Sequence, residues 1–172
     1  IGRAARHLNG TAILYADRVN VFEMPLADTN AVRQITRAEK GVTHYDACYL
    51  PNGKIISACN ACWQTVPCVG AWDVGNLHLF DADGSNERRI TFDQDHDWNP
   101  CVMEDGRVMF SRWEYADTPH YFTRLIMRMN PDGTGQMEFY GSNSYWPNAT
   151  YWPIQIPGSP NRFVAIVSGH HG

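Results

Sequence analysis

This chain has little charge and no long apolar run. Lys, Arg, Asp and Glu together make up 19% of its 172 residues, the formal net charge is −4, and Lys and Arg are nowhere clustered. A protein surface that follows a phosphate backbone needs clustered basic side chains, so nucleic acid is not an expected partner. No segment approaches the roughly eighteen consecutive apolar residues of a membrane-spanning helix, so no membrane span is expected either.

The sequence motifs of self-sufficient enzymes are also missing. We find no Ser nucleophile elbow, no glycine-rich phosphate loop and no recognisable pair of catalytic carboxylates. A complete active site within this chain is therefore not expected. Whether the chain belongs to an enzyme stays open.

Neither the number of cysteines nor the start of the sequence indicates the cellular compartment of this protein. Five cysteines are too few for a disulfide scaffold in a chain of this length. No basic-then-apolar leader with a small-residue cleavage site is present. Because the chain begins at Ile1 rather than at Met, earlier removal of a leader stays open.

Helical periodicity is nearly absent from this sequence. Apolar residues alternate with polar ones, or run in groups of four to six between clusters of Gly, Asn, Asp and Pro. The hydrophobic content of 44% is sufficient for a core. These features predict an all-β protein.

Two hairpin motifs repeat in alternation along the chain. The first, PNGKIISA at 51–58, recurs as EDGRVMFS at 104–111, with a spacing of 53 residues. Weaker copies open and close the chain, where Asn9-Gly10 precedes TAILYA and Pro157 to Asn161 precede RFVAIVS.

The second motif follows the first each time. NLHLFDADGSNERRIT at 76–91 resembles RLIMRMNPDGTGQMEF at 124–139, and the turn glycines Gly84 and Gly133 lie 49 residues apart. A looser copy is VNVFEMPLADTNAVRQIT near the start. Asn-Gly and Asp-Gly supply the positive φ that tight hairpin turns require.

An inner and an outer hairpin that alternate about every fifty residues are typical of β-propeller blades, whose strands are lettered A to D. The sequence therefore predicts one incomplete β-propeller domain over 1–172, a fragment of about three and a half four-stranded antiparallel blades. The predicted blades are about 1–37, 45–92, 98–140 and 145–172. Propellers usually have four to eight blades, so we expect the remainder of the propeller, other subunits or self-association to cover the ends.

Two long strings also resemble a known family. They are FDQDHDWNP at 92–100 and SRWEYADTPHYFTRLIMRMNPDGTGQMEFYGSNSYWPNATYWPIQIPGSPNRFVAIVSGHHG at 111–172. They resemble the propeller region of the hydrazine synthase alpha-subunit family, whose blades are similar to TolB-like PD40 repeats. The resemblance covers most of residues 73–172.

This resemblance implies an exported, periplasmic protein, or one in the equivalent compartment of a planctomycete-like bacterium. It also implies haem c in other domains of a c-type cytochrome of nitrogen redox metabolism. The string Cys59-Asn60-Ala61-Cys62-Trp63 lacks the axial His of CxxCH, so we expect no haem within this segment. The alternative function is a non-catalytic TolB-like module that binds a protein or peptide partner.

The hairpin geometry places several reactive side chains on one face, because the residues before strand A meet those after strand B. Imidazoles and carboxylates that converge from separate loops could bind a divalent metal, zinc or calcium. The predicted ligands are His44, Asp46, His96, Asp97, His120, His170 and His171. Since His170 and His171 are adjacent, they would point to opposite sides of an extended strand, and we expect at most one to be a ligand.

Structural alternatives exist for each of these features. Asp46 and Asp97 could instead bond to loop backbones and link adjacent blades. The cysteines between 59 and 68 suggest a structural disulfide or a metal clip rather than thiol catalysis, because no helix follows them. The recurring tryptophans Trp98 and Trp146 favour packing between blades over a ligand-stacking platform.

Overall fold

The computed structural model describes residues 5–6, 11–16, 20–66, 70, 72–114, 124–142 and 149–168. Fourteen β-strands and no helix occur within these ranges. The strands are β1 (Ala5–Arg6), β2 (Thr11–Ala16), β3 (Asn20–Pro25), β4 (Arg33–Gln34), β5 (His44–Tyr49), β6 (Ile55–Cys59), β7 (Asn76–Phe80), β8 (Arg88–Arg89), β9 (Asp97–Val102), β10 (Val108–Trp113), β11 (Arg124–Met129), β12 (Met137–Tyr140), β13 (Thr150–Gln155) and β14 (Phe163–Val167).

These strands form four antiparallel sheets, each a meander in chain order. β1–β4, β5–β8 and β9–β12 are four-stranded, whereas β13 and β14 form a two-stranded hairpin. The turn glycines Gly53, Gly84, Gly106 and Gly133 have φ between 82° and 93°, as the turn sequences predict. The predicted all-β propeller fold is confirmed.

The inner strands of the second and third sheets are buried on both faces because each of these two sheets packs between two others. Along β6, Ile55 faces the first sheet and packs with Val21 of that sheet and with Phe80 of its own. The next residue, Ile56, points the opposite way into the core shared with the third sheet, which includes Phe110. Side chains of a strand alternate between its two faces, so this stacking explains why every residue of β6 is buried.

The same alternation continues toward the chain's other end. Met109 and Ile126 pack with Phe163 of the β13–β14 hairpin, whereas Phe110 faces back toward the second sheet. Glycine turns reinforce the stacking. A Cβ at position 84 would lie 1.9 Å from the carbonyl oxygen of Ile35 in the preceding blade, so this turn docks directly on its neighbour.

Candidate metal centre

The hairpin formed by β5 and β6 brings His44 beside Cys59. The two residues are register partners at the open end of the hairpin, and both side chains are buried, with 1% and 0% relative exposure. Glu87, just before β8, reaches the same point from the outer hairpin of the same sheet. One donor atom of each of these three residues lies within 4.8 Å of the other two.

His44 has a different partner at each of its ring nitrogens. Nδ1 lies 3.1 Å from Ser57 Oγ, whereas Nε2 lies 3.7 Å from Cys59 Sγ and 3.6 Å from a Glu87 carboxylate oxygen. When Nδ1–H donates to the Ser57 hydroxyl, the Nε2 lone pair points toward the thiol and the carboxylate. A hydrogen bond on the second nitrogen orients histidine metal ligands in this way.

Glu87 is held in place by a second imidazole. His78 Nδ1 lies 2.8 Å from the same Glu87 oxygen that approaches His44, and this hydrogen bond lowers the pKa of the Glu87 carboxyl. The His78 side chain is 8% exposed, whereas that of Glu87 is 36% exposed. The His44 and Cys59 side chains of the cluster are therefore buried, and the Glu87 side chain is in contact with solvent.

This arrangement differs from a catalytic Cys-His-acid relay. In a relay, the acid orients the imidazole through the nitrogen that faces away from the nucleophile. Here Glu87 and Cys59 both approach Nε2 of His44. Burial also raises the pKa of the Cys59 thiol to about 12 and lowers that of His44, so the metal-free pair holds a protonated thiol beside a neutral ring. The three donors converge on one point, as ligands of an ion do.

The equivalent position in the third sheet contains an ion pair. Asp97 and Arg112 stand 53 residues after His44 and Cys59, and Gln136 stands 49 residues after Glu87. Arg112 Nε and Nη2 donate to the two Asp97 carboxylate oxygens at 2.8 and 3.0 Å, and Nη2 also donates to Gln136 Oε1 at 2.9 Å. A guanidinium cation therefore occupies the space that corresponds to the centre of the His44 cluster.

Asp46 and Asp97 do not reach the His44 cluster in this structure. Asp46 accepts hydrogen bonds from the backbone N and the side-chain Nδ2 of Asn99, across the boundary between two blades. Burial raises the pKa of Asp97, while Arg112 opposes that shift. The contacts of Asp46 match the structural alternative, because they link two blades. Asp97 is instead paired with Arg112 of its own sheet. That either aspartate binds a metal stays a prediction.

His96 lies apart from the His44 cluster, between two tryptophan side chains. Its Nδ1 accepts the backbone N–H of Gly75 at 3.0 Å, and its ring stacks on Trp113 at 6.1 Å and meets Trp98 edge-on at 4.8 Å. Burial, followed by the charge of Arg124, lowers its pKa to about 4. The ring is therefore packed as a neutral group. The remaining predicted ligands, His120, His170 and His171, lie outside the described residues.

The structure bears on the disulfide that was the first alternative for the cysteines between 59 and 68. Cys59 and Cys62 are free thiols, as are Cys48 and Cys101, so no disulfide joins 59 to 62. Cys62 Sγ instead donates to the Val74 carbonyl at 2.9 Å. Cys68 lies outside the described residues. That Cys59 is part of a metal clip stays a prediction.

Glu87 and His78 were not among the residues predicted from the sequence. The signal that could have identified them is the comparison of repeats. His78 occupies the position of Met127, and Glu87 that of Gln136, 49 residues further on. A histidine that replaces a core methionine indicates a polar cluster inside that blade.

Comparison with known proteins supports the fold at low sequence identity. The chain matches no protein-family model, and no curated protein is significantly similar in sequence. Its structure resembles Kuenenia stuttgartiensis hydrazine synthase, with a TM-score of 0.67 and 13% identity over 86% of this chain. It also resembles a chain of the nidogen/laminin complex, with a TM-score of 0.66 and 12% identity over 95% of this chain. For TolB from Acinetobacter baumannii, the TM-score is 0.57 and the identity is 13% over 94% of this chain.

The chain spans only part of each of these structures. It covers 26% of the hydrazine synthase chain, 55% of the chain from the nidogen/laminin complex and 41% of TolB. At such identities the likeness establishes a TolB-like β-propeller fold and no particular activity. Within the described residues, no helix could serve as a membrane span.

Proposed function

We propose that this chain is the propeller part of an exported, periplasmic, multi-domain c-type cytochrome that resembles the hydrazine synthase alpha subunit. In this role it is a scaffold that docks other domains or subunits. The structural likeness to hydrazine synthase supports the proposal, together with the two strings at 92–100 and 111–172 that resemble that family. The haem would be held by other domains, because the chain contains no CxxCH.

The single observation that carries the docking role is an exposed apolar face on the β13–β14 hairpin. Phe163 and Ala165 pack inward against the third sheet. On the opposite face, Ile154, Val164 and Ile166 are 54%, 57% and 52% exposed. Contiguous exposed apolar surface of this kind marks an interaction site.

The preceding blade indicates what kind of surface would cover this face. Val164 occupies the position of Met109, which is completely buried because the β13–β14 hairpin packs on it. We therefore expect another β-sheet, from the remainder of the propeller or from another subunit, to pack on Ile154, Val164 and Ile166.

A second function is favoured by a different observation. TolB and the chain from the nidogen/laminin complex resemble this chain over 94% and 95% of its length, and the latter structure is a complex between proteins. The same apolar face would then bind a protein or peptide partner in a module without haem.

Analysis of the protein from its native source separates these two functions. We would measure the visible absorption spectrum, the intact polypeptide mass and the associated subunits by native mass spectrometry. A Soret band on a polypeptide much longer than 172 residues is the expected result. A haem-free protein with a bound partner would overturn the cytochrome proposal in favour of the binding module, and a haem-free monomer of 172 residues would overturn both.

A further inference from the structure

Three donor atoms in the second sheet surround one point, and no Lys or Arg in the described ranges forms an ion pair with Glu87 there. His44 Nε2, Cys59 Sγ and a Glu87 carboxylate oxygen lie within 4.8 Å of one another. In the described part of the chain, the ion-pair partners of Glu87 are His44 and His78. In the third sheet, by contrast, the guanidinium of Arg112 occupies the corresponding place.

We propose that His44, Cys59 and Glu87 bind a zinc ion. The donor set of one imidazole, one thiolate and one carboxylate suits zinc, which accepts all three. The open side at Glu87 leaves the fourth position to water and gives the ion a path from solvent. The ion would provide, in the second sheet, the positive charge that Arg112 provides in the third.

The distances from His44 Nε2 to the other two donors fit a tetrahedral site. With Zn–N and Zn–O near 2.0–2.1 Å and Zn–S near 2.3 Å, tetrahedral angles give an N···S edge of about 3.6 Å and an N···O edge of about 3.4 Å. The separations from His44 Nε2 are 3.7 Å to Cys59 Sγ and 3.6 Å to the Glu87 oxygen. His44 Nε2 therefore lies at tetrahedral distances from both other donors, and Cys59 Sγ lies within 4.8 Å of a Glu87 oxygen.

Groups around the ligands orient them for the ion. Ser57 Oγ holds the far nitrogen of His44, and His78 Nδ1 holds the Glu87 carboxylate. Hydrogen bonds of this type fix the ring and the carboxylate of metal ligands, and their loss typically weakens metal binding 10- to 100-fold. When zinc binds, the Cys59 thiol releases its proton to solvent and the thiolate forms the Zn–S bond.

The test is a zinc titration of the metal-stripped protein against a chromophoric chelator, with Co²⁺ as a spectroscopic probe. We expect the wild type to bind a single equivalent of zinc. Cys59→Ser and His44→Gln should weaken binding by more than about 100-fold, and Ser57→Ala by about 10-fold. With Co²⁺, a thiolate-to-cobalt charge-transfer band should appear in the wild type and be lost in Cys59→Ser.

Cys101→Ser is the matched control, because it removes a partly buried thiol of another sheet. It should bind zinc and Co²⁺ as the wild type does. Glu87→Gln is a second test in case Cys59→Ser does not fold, because the Glu87 side chain is partly exposed and its substitution leaves no cavity in the core. It should also weaken zinc binding. Zinc binding that is unchanged in both Cys59→Ser and Glu87→Gln, or absent from the folded wild type, would overturn the proposal.

Discussion

Asn99 binds Asp46 through two donors at once. Its backbone N and its side-chain Nδ2 donate to the same Asp46 oxygen, at 3.2 and 2.6 Å, and join the third sheet to the second. One blade further on, the backbone N of Trp152 donates to Asn99 Oδ1 at 3.3 Å. All three residues have φ of 51° to 53°, at the irregular point of strand A, and they are spaced 53 residues apart. This chain of contacts repeats from blade to blade.

We expect Asp46→Ala to lower the free energy of unfolding by about 1.5–3 kcal/mol, the range for a hydrogen bond to a charged group. In a double-mutant cycle, Asp46→Ala and Asn99→Ala should be strongly non-additive, because each removes the same link. Asn52→Ala is the control partner, since Asn52 caps an exposed turn through Lys54 N. Additive effects of Asp46→Ala and Asn99→Ala in urea unfolding would disprove the link.

Asp97→Asn should be destabilising because it leaves the Arg112 guanidinium buried beside a neutral amide. Breaking a buried pair costs about 3–5 kcal/mol, and we expect the lower end because Asp93 remains 3.2 Å from Arg112. The matched control is Asp105→Asn in the turn of the same hairpin, where the partner Arg107 is exposed. Equal effects of both substitutions on the unfolding midpoint would contradict the structural role of Asp97.

Gly84→Ala should destabilise the chain more than Gly53→Ala. Both glycines have φ above 80°, so alanine at either position pays about 1–2 kcal/mol of backbone strain. Only at position 84 would the new Cβ meet the backbone of the preceding blade, whereas position 53 has open space around it. Crowding should add a further 1–3 kcal/mol or so to Gly84→Ala. Similar unfolding free energies for the two variants would refute this docking contact.

Stability should fall as the pH is lowered from about 6.5 toward 4. The folded-state pKa of His96, about 4, is below its ordinary value of 6.5, so in this window the unfolded chain binds a proton that the folded chain does not. The contribution of His96 is therefore complete above pH 6.5 and declines with acidification, by at most about 1.4 kcal/mol per pH unit.

His96→Gln retains an acceptor for the Gly75 N–H and cannot titrate. The difference in unfolding free energy between wild type and variant, measured in the same buffers, cancels the contribution of the carboxylates. This difference should depend on pH between 4 and 6.5 and be constant above pH 6.5. A difference that is constant across the whole range would mean that His96 is not a buried neutral ring.

The sequence was sufficient to predict the fold because the turns repeat. Gly53 and Gly106, in Asn-Gly and Asp-Gly pairs between alternating apolar runs, allow few conformations other than tight hairpins. The pairing of strands A and B also predicted the face on which His44 lies, and the structure shows Cys59 as its register partner there.

The outer half of the candidate site could not be predicted in the same way. Two strands, β6 and β7, lie between the strand of His44 and β8, which Glu87 precedes, so the position of Glu87 depends on the register of β7 and β8 with β6. Asp46 illustrates the other difficulty. The irregular point in β5 turns its carboxylate toward Asn99 of the next blade, and that local backbone shift has no signature in the sequence.

The most direct test of the docking role is amide hydrogen exchange on the protein from its native source. The measurement concerns the β14 amides that are not bonded to β13. If a further sheet packs beside and against this hairpin, these amides should exchange as slowly as those of β10, which lies between two strands. Exchange at the rate of an exposed sheet edge would show that no further strand pairs with β14, and would contradict the proposal that the remainder of the propeller or another subunit completes this blade and docks on it.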